Sequence, residues 1–565
     1  MAGAILAMVA GTAAGCAMAH SQGPAPWWRH AVFYEVYVRS FYDSDGDGVG
    51  DLNGITAKLD YLEQLGVDAI WITPFYPSPQ VDFGYDVSDY ESVDPRFGTL
   101  ADFDRLLREA HRRHIRVITD FVINHTSDQH PWFRESRTSR DNPKRNWYIW
   151  HDPARGGGPP NNWASVFGPT AWTYDPTTRQ YYYHFFYPQQ PDLNWRNPEV
   201  ERAMLDVVRF WLRRGVDGLR VDAIDALFED PSLRPNPYEA RLRPGSATEH
   251  SQHFKYNEYQ PENFEEFRRL RSVAAEFGAD RVLIGETYPR RIGELRKYYG
   301  AHDDAFQLPF NFYLLRQPKL DADIFRNVVR QTEWVVGDRL TAYALSNHDN
   351  PRAFDRLGDG RHNDRIAKLL ATMLLTLRGV PFFYYGEEIG MQTTNPARLA
   401  DVRDPVARLY WPALKGRDGE RTPMQWTAGL NAGFTTAKRP WLPVPPSAAT
   451  RNVASMSGDP RSILSFFKQA IRLRRASPAL LEGDYQSLGE DAYVFAYRRH
   501  TATQTMIVTL NMSAERQTVR LDPAQWGGAE QLRLRLSNVQ PGGALLNARW
   551  LSLAPYEAAV FEVLR

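Results

Sequence analysis

Alternating strand and helix patterns predict an α/β fold, the (β/α)8 or TIM barrel, for most of this 565-residue chain. From Ala31 onward, short β-branched and aromatic runs alternate with amphipathic runs of helical spacing, as in a parallel sheet covered by helices. Eight strand runs can be distinguished, and eight such units close into a barrel rather than an open sheet. Barrels of this kind bind their ligands at the loops that follow the strands.

The strand runs are β-branched or aromatic and lie at residues 32–38, 69–72, 117–122, 218–221, 282–285, 305–308, 342–345 and 381–384. Apolar residues recur at helical spacing between them, which predicts helices that include residues 57–65, 100–114, 198–214, 262–277 and 365–377. A last helix is predicted at residues 463–477, so the barrel is assigned to residues 27–125 and 193–480.

Two connections are too long to be simple turns, and a different pattern follows the barrel. Residues 126–192 are polar and rich in aromatic residues, which predicts an inserted lobe after the third strand. Residues 386–460 predict a long loop or subdomain after the eighth strand. Apolar and polar residues alternate in the tail, so residues 481–565 are predicted to form a C-terminal antiparallel β-sandwich domain.

The first residues resemble an incomplete export signal. An apolar run at residues 4–10 and the small residues before Cys16 suggest a bacterial lipoprotein signal, but no Lys or Arg precedes the run. Residues 1–26 are therefore either a signal or a disordered tail. Processing at Cys16 would place the protein in the periplasm or cell envelope, and without it a cytoplasmic location is expected.

Composition limits the partners and cofactors. Lys+Arg 67 balance Asp+Glu 67 with no long run of one sign, which argues against nucleic acid and anionic membrane partners. Aromatic residues make up 13% of the chain, which suits a small neutral ligand such as a sugar. Cys16 is the single cysteine, so a disulfide and a cysteine-ligated metal are excluded, and no later run could span a membrane. No motif indicates an organic cofactor or specifies an oligomeric state.

Polar side chains at the predicted strand ends suggest a catalytic centre. Arg220 and Asp222 leave the same face of one strand, where the guanidinium favours an ionised carboxylate, although such a pair alone is often only structural. Glu286 follows an apolar run with no cation beside it in the sequence, and Asp349 follows the seventh strand. Retaining glycoside cleavage requires two carboxyl groups of opposite protonation. Asp222 suits the nucleophile, Glu286 the acid/base, and Asp349 the stabilisation of positive charge.

Four segments, at residues 120–125, 218–224, 284–287 and 347–349, resemble the signature motifs of the α-amylase family, glycoside hydrolase family 13. The resemblance extends from Trp28 nearly to the C-terminus and implies the same barrel, inserted lobe and C-terminal β domain. It also implies the same roles for Asp222, Glu286 and Asp349.

Segments 82–86, 190–194 and 421–426 resemble the branch of α-glucosidases and oligo-1,6-glucosidases, which act from the non-reducing end. The resemblance implies maltose and short malto-oligosaccharides as substrates. In this branch the residue after the nucleophile follows linkage preference, and Ala223 implies α-1,4 over α-1,6. The substrate-binding residues that the resemblance and the strand ends suggest are Asp82, Tyr85, His125, Phe167, Gln190, Arg220, His348 and Arg417.

Residues 43–51 place oxygen donors at alternate positions, like the first part of a calcium-binding loop. Gly54 stands where a helix-loop-helix calcium site needs a glutamate, so the segment is not that motif. Similar loops in α-glucosidases hold a structural Ca²⁺ or Mg²⁺, which implies the ligands Asp43, Asp45, Asp47, the Val49 carbonyl and Asp51. The alternative is an acidic solvated turn.

Other functions remain open at this point. Trehalose synthases, sucrose-active enzymes and transglucosidases of the family use the same glucosyl-enzyme and pass the sugar to another acceptor. A non-catalytic or transporter-associated relative is a remote alternative, because all three carboxylates are present.

Overall fold

The computed structural model of this protein describes residues 25–238 and 252–564. The predicted signal or tail, including Cys16, lies outside the described residues except for its last two positions. Within the described ranges, no helix has the length and apolar character needed to cross a membrane.

The strands alternate with helices along the first two thirds of the chain and then follow one another. They are β1 Phe33–Val36, β2 Ala69–Ile72, β3 Arg116–Val122, β4 Trp150–His151, β5 Trp172–Asp175, β6 Gln180–Tyr183, β7 Gly218–Asp222, β8 Val282–Gly285, β9 Leu308–Asn311, β10 Ala342–Ala344, β11 Val380–Tyr384, β12 Asp484–Ser487, β13 Val494–His500, β14 Thr505–Asn511, β15 Gln517–Arg520, β16 Gln531–Ser537, β17 Leu545–Asn547, β18 Trp550–Leu553 and β19 Ala558–Val563.

The α-helices are α1 Val38–Phe41, α2 Leu52–Ala57, α3 Leu59–Leu65, α4 Leu100–Arg112, α5 Pro131–Ser136, α6 Pro198–Arg214, α7 Glu262–Ala275, α8 Ala322–Val336, α9 Ala353–Arg356, α10 Asn363–Thr376, α11 Pro405–Tyr410, α12 Val453–Ser457, α13 Ile463–Arg475 and α14 Pro478–Glu482. Short 3-10 helices cover Trp27–Arg29, Arg145–Trp147, Ile224–Ala226, Ile292–Tyr299, Glu387–Ile389, Leu399–Asp401, Leu430–Gly433, Pro446–Ala449 and Pro523–Trp526.

Eight parallel strands close into a barrel in the order β1-β11-β10-β9-β8-β7-β3-β2, which confirms the predicted TIM barrel. Buried apolar side chains fill its interior and pack the covering helices against its outside. Because the strands are parallel, all of their carboxyl ends open at one mouth, and the polar residues that follow them meet there.

Some element limits differ from the prediction. The sixth barrel strand is β9 rather than residues 305–308, because the N–H groups of Ala305 and Phe306 still bond to the carbonyls of the preceding 3-10 helix. The first strand ends at Val36, where α1 follows almost at once. The predicted helix at 57–65 is two helices, and the first begins earlier because the Asp51 side chain caps it.

Antiparallel sheets lie in the regions expected outside the barrel. A three-stranded sheet, β4-β6-β5, lies between β3 and β7 in the chain. The C-terminal part contains a six-stranded antiparallel sheet, β12-β13-β14-β19-β16-β17, and the pair β15-β18, which confirms the predicted C-terminal β domain. The segment after β11 contains α11 and α12 as well as loops. The domain limits themselves stay predictions.

Candidate active site

The Arg220 guanidinium lies among three carboxylates at the barrel mouth. Its Nη1 is 2.8 Å from Asp120 Oδ1 and 2.6 Å from Asp222 Oδ1, and its Nη2 is 2.8 Å from Glu286 Oε2. Glu286 therefore has a cation beside it in the fold, although it has none beside it in the sequence. The barrel register explains the contact: Asp120 is the β3 partner of Arg220, and Glu286 lies one residue beyond the β8 partner of Val221.

Burial competes with this guanidinium in setting the charge of the cluster. Burial raises the pKa of Asp222 well above its usual range, Arg220 opposes the rise, and repulsion from Glu286 and Asp120 adds to it. Burial also raises the pKa of Asp120 to about 6 against the same guanidinium. The sequence suggested that Arg220 alone keeps Asp222 ionised. In the structure, Arg220 instead offsets part of the cost of burying three carboxyl groups together.

Asp349 has two arginines on one side and His348 on the other. Its Oδ1 is 3.1 Å from Arg417 Nη1 and 2.8 Å from Arg421 Nη2, and its Oδ2 is 3.2 Å from His348 Nε2. Burial acts to raise the pKa of Asp349, but these three neighbours and Arg220 hold it well below its usual range. Asp349 is consequently ionised at neutral pH and can stabilise positive charge that develops beside it.

An ion pair across the mouth joins two distant loops. Arg417, in the loop after β11, contacts Asp82, in the loop after β2, with 2.7 Å between Nη2 and Oδ1. Gln190 Nε2 lies 3.2 Å from Asp82 Oδ2 and 3.0 Å from His125 Nε2. Burial lowers the pKa of His125 to about 3, so its ring is neutral and offers one donor and one acceptor nitrogen. These predicted residues form one connected polar wall.

Aromatic rings lie against these polar groups. Tyr85 stacks on His348 with 5.2 Å between ring centroids, and its hydroxyl donates to Asp120 Oδ2 over 3.0 Å. Phe167 stacks on Tyr187 at 4.5 Å, and the Arg417 guanidinium carbon lies 5.2 Å from the Phe167 ring centroid. Rings beside polar groups are suited to a sugar, which has both apolar faces and hydroxyl groups.

Three residues that hold this constellation were not in the predicted set. Arg421 donates through Nε to the His348 carbonyl over 2.6 Å as well as contacting Asp349. Asp404 Oδ2 lies 2.8 Å from Arg417 Nε, and Glu35 Oε1 lies 2.6 Å from His348 Nδ1. Arg421 belongs to a segment already singled out at 421–426, which was the available signal. Glu35 and Asp404 follow no motif that points to the site.

The two oxygens of Glu286 have different partners. The N–H of Ala223 donates to Oε2 over 3.0 Å, and the Tyr288 hydroxyl donates to Oε1 over 3.2 Å. Ala223 adopts the left-handed backbone conformation, with φ 47° and ψ 38°, which turns its N–H toward Glu286 immediately after Asp222. The residue that the resemblance links to substrate linkage therefore also contacts Glu286 through its backbone.

The loop after α1 brings three of the predicted metal ligands together. Asp43, Asp45 and Asp51 each offer a carboxylate oxygen, and these oxygens lie within 4.8 Å of one another. Asp47 is not in that group, and its Oδ1 accepts from the N–H of Val49 over 2.7 Å. Clustered carboxylate oxygens suit a hard cation such as Ca²⁺ or Mg²⁺. Burial raises the pKa of Asp51, and repulsion from Asp45 adds to the rise, a cost that a cation would remove.

Comparison with known proteins supplies the family. A family model described as the alpha amylase catalytic domain matches residues 35–483. The chain belongs to the α-amylase family. It is accordingly a glycoside hydrolase, and a double-displacement mechanism is typical of this family.

Two curated relatives illustrate the similarity in sequence. The chain is 43% identical over 516 residues to a probable alpha-glucosidase of Rhizobium meliloti, covering 89% of this chain and 93% of that protein. It is 38% identical over 572 residues to an oligo-1,6-glucosidase of Parageobacillus thermoglucosidasius, covering 95% and 99%.

Two solved structures are also similar to this chain. The alpha-glucosyl transfer enzyme XgtA superposes with a TM-score of 0.90 at 40% identity, covering 96% of this chain and all of that one. The trehalulose synthase MutB of Pseudomonas mesoacidophila superposes with a TM-score of 0.86 at 36% identity and the same coverage. Sequence and structure thus relate this chain to proteins named as glucosidases, as a glucosyl transfer enzyme and as a trehalulose synthase.

Proposed function

We propose that this protein is a retaining, exo-acting α-glucosidase that releases glucose from the non-reducing end of maltose and short malto-oligosaccharides. The observation that carries the proposal is the contact of one guanidinium with both Asp222 and Glu286. Two carboxyl groups gathered around one guanidinium are close, and retaining cleavage needs them only about 5 Å apart. An inverting enzyme would need room for water between them.

In the proposed reaction, Asp222 attacks the anomeric carbon while Glu286 protonates the departing glycosidic oxygen. Glu286, now a carboxylate, then takes a proton from water, and the water oxygen displaces Asp222 from the glucosyl-enzyme. Asp349 stabilises the positive charge at the anomeric centre in both steps, because its own pKa is held low. Glucose leaves with its α configuration, and Glu286 regains its proton.

The ion pair between Asp82 and Arg417 supports action at chain ends. It joins the loops after β2 and β11, so it would obstruct the passage of a glucan between those loops. A terminal glucose would meet Asp82, Arg417, Gln190 and His125, while the rest of the substrate extends past Glu286. The preference for α-1,4 over α-1,6 linkages is the most specific part of the proposal, and it is based on Ala223.

We also propose that the loop containing Asp43, Asp45 and Asp51 holds a structural Ca²⁺ or Mg²⁺ ion. The donor set fits, because carboxylate oxygens from three aspartates converge there. The Gly48 N–H bonds Asp43 Oδ2 over 2.8 Å, and a Cβ at Gly48 would lie 2.6 Å from the Arg439 carbonyl oxygen, so the turn is built tightly around that carboxylate. The ion would order the loop rather than act on the sugar.

Transfer of the glucosyl group to a sugar is the second candidate function. It is favoured by the structural similarity to a glucosyl transfer enzyme and a trehalulose synthase. Both functions share the glucosyl-enzyme and differ only in the acceptor.

Separate incubations with maltose, isomaltose, sucrose, trehalose and starch, followed by chromatography of the products over time, test the proposal. We expect glucose from maltose at a rate well above that from isomaltose, and almost none from starch. If lengthened oligosaccharides or a sucrose isomer are the main products, the function is transfer and not hydrolysis. Rapid cleavage of starch into oligosaccharides would contradict exo action.

A further inference from the structure

Tyr288 touches the oxygen of Glu286 that is free to carry a proton. Glu286 Oε2 already accepts from the Ala223 N–H and lies 2.8 Å from Arg220 Nη2. A carboxyl group is protonated less readily on the oxygen that contacts a cation, so Oε1 is the oxygen suited to donate the proton. The Tyr288 hydroxyl donates to that Oε1 over 3.2 Å.

The fold holds Tyr288 from several directions. Its ring lies 4.9 Å from the Phe312 ring, and the Arg316 guanidinium carbon lies 4.5 Å from its centroid. Its N–H donates to Asp225 Oδ2 over 2.9 Å, and its carbonyl accepts from the Tyr259 hydroxyl over 2.5 Å. Ring and backbone are therefore both fixed, and the hydroxyl is presented to Glu286 in one place.

The Tyr288 hydroxyl remains a donor over the pH range of the reaction. Burial raises the pKa of Tyr288 well above its usual range, and repulsion from Glu286 and Asp349 adds to the rise. The terminal torsion of a glutamate side chain is broad, so a carboxyl group needs such contacts to keep one orientation.

We propose that Tyr288 is a positioning residue for the acid/base, its hydroxyl holding Glu286 Oε1 in the direction of the departing oxygen. The inference rests on the proposed role of Glu286. Since the hydroxyl donates a hydrogen bond, it also favours the carboxylate that receives a proton from water in the second step.

Tyr288→Phe tests the proposal, because it removes the hydroxyl and keeps the ring against Phe312 and Arg316. Tyr313→Phe is the matched control: its hydroxyl donates over 2.7 Å to the Pro289 carbonyl and does not contact Glu286. Consumption of maltose and of a dinitrophenyl α-glucoside would be measured for each variant and for the unchanged protein. Maltose needs a proton on its leaving oxygen, whereas dinitrophenolate departs without one.

For Tyr288→Phe we expect kcat/KM on maltose to fall by at least about tenfold and kcat/KM on the aryl glucoside by less than about threefold. The alkaline limb of kcat/KM for maltose should move to higher pH, because the carboxylate of Glu286 loses a donor. Tyr313→Phe should change neither the ratio of kcat/KM on maltose to kcat/KM on the aryl glucoside nor the alkaline limb of the pH profile.

Equal losses on both substrates with an unmoved alkaline limb would mean that Tyr288 only packs against Phe312 and Arg316. That result would overturn the proposal. No loss on maltose would overturn it as well. If the unchanged protein consumes maltose by transfer, hydrolysis fails as the function while the ratio still reports on Tyr288. If it consumes neither substrate, both proposals are wrong.

Discussion

At the scale of single residues, Asp222 offers the sharpest test of the chemistry. Asp222→Asn keeps the shape of the side chain and replaces the nucleophilic carboxyl group with an amide, so we expect kcat on maltose to fall by about four orders of magnitude. The melting temperature should stay nearly constant, because Arg220 keeps Asp120 and Glu286 as partners.

Asp206→Asn is the control for Asp222→Asn, since this exposed aspartate pairs with Arg209 on α6 away from the mouth. Steady-state kinetics and thermal melts of both variants check the prediction. Activity of Asp222→Asn above about one per cent would reject Asp222 as the nucleophile.

Ala223 carries a backbone constraint as well as the proposed linkage preference. At φ 47° a β-branched side chain is disfavoured, so Ala223→Val should cost on the order of 1–2 kcal/mol of stability. It should also raise the isomaltose-to-maltose ratio of kcat/KM severalfold. Ala223→Gly relieves the constraint without adding bulk and should leave that ratio near its original value. If both variants shift the ratio alike, linkage is decided elsewhere.

The limits of prediction are visible at Arg220. Its contact with Asp222 could be predicted because residues two apart share a strand face. Its contacts with Asp120 and Glu286 depend on the register of three parallel strands, which nothing local in the sequence specifies. Glu35 could not be predicted for the same reason. It contacts His348, which follows β10, because closure of the barrel places β1 beside β11 and β11 beside β10.

At the scale of elements, local sequence signals predict the ends of some helices and strands but not of others. The helix predicted at 198–214 is α6, because Asn197 caps its start and Gly215 ends it in a left-handed conformation. The strand predicted at 305–308 lies three residues later, and its Pro309 is a residue that argues against a strand when only the sequence is read. Pairing with β8 and β10 decides its position.

The loop from Asp43 to Asp51 predicts a response to chelators. Removing a bound cation leaves three aspartate oxygens within 4.8 Å of one another, so EDTA should lower the melting temperature by several degrees and added Ca²⁺ or Mg²⁺ should restore it. Asp45→Asn should have a lowered melting temperature already and a smaller response. Thermal melts of both proteins with and without EDTA check this. An unchanged melting temperature of the original protein would remove the case for an accessible ion.

Glu420, in the loop after β11, predicts a pH dependence of stability. Burial raises its pKa from 4.5 to about 8, so the stability linked to its proton is complete below pH 4.5 and is lost as the pH rises through 8. Glu420→Gln cannot ionise and should gain melting temperature over the original protein at pH 9 but not at pH 4.5. The corresponding gain in the free energy of unfolding is at most about 5 kcal/mol, since one pKa unit corresponds to about 1.4 kcal/mol. Equal differences at both pH values would contradict the prediction.

At the scale of the whole molecule, a buried arginine joins the barrel to the C-terminal sheet. Arg499, on β13, donates over 2.7 Å to the Thr376 carbonyl at the end of α10 and over 3.0 Å to the Gly483 carbonyl. Arg474, on α13, donates to the carbonyls of Leu375 and Gly379 over 2.9 and 3.0 Å. The bonds of Arg474 lie within the barrel, whereas Arg499 bonds the end of α10 from the C-terminal sheet, so the sheet and the barrel are held together at Arg499.

Arg499→Met should therefore loosen that junction while leaving the active site intact. It fills similar space but leaves the carbonyls of Thr376 and Gly483 without this donor, which should cost about 3 kcal/mol of unfolding free energy. Denaturant titrations followed by two spectroscopic probes would measure the loss and show whether the sheet begins to unfold before the barrel. Arg520→Met, on the exposed face of β15, should change the free energy of unfolding by less than about 0.5 kcal/mol. An unchanged midpoint in Arg499→Met, with kcat on maltose also unchanged, would show that the two parts are stable without this contact.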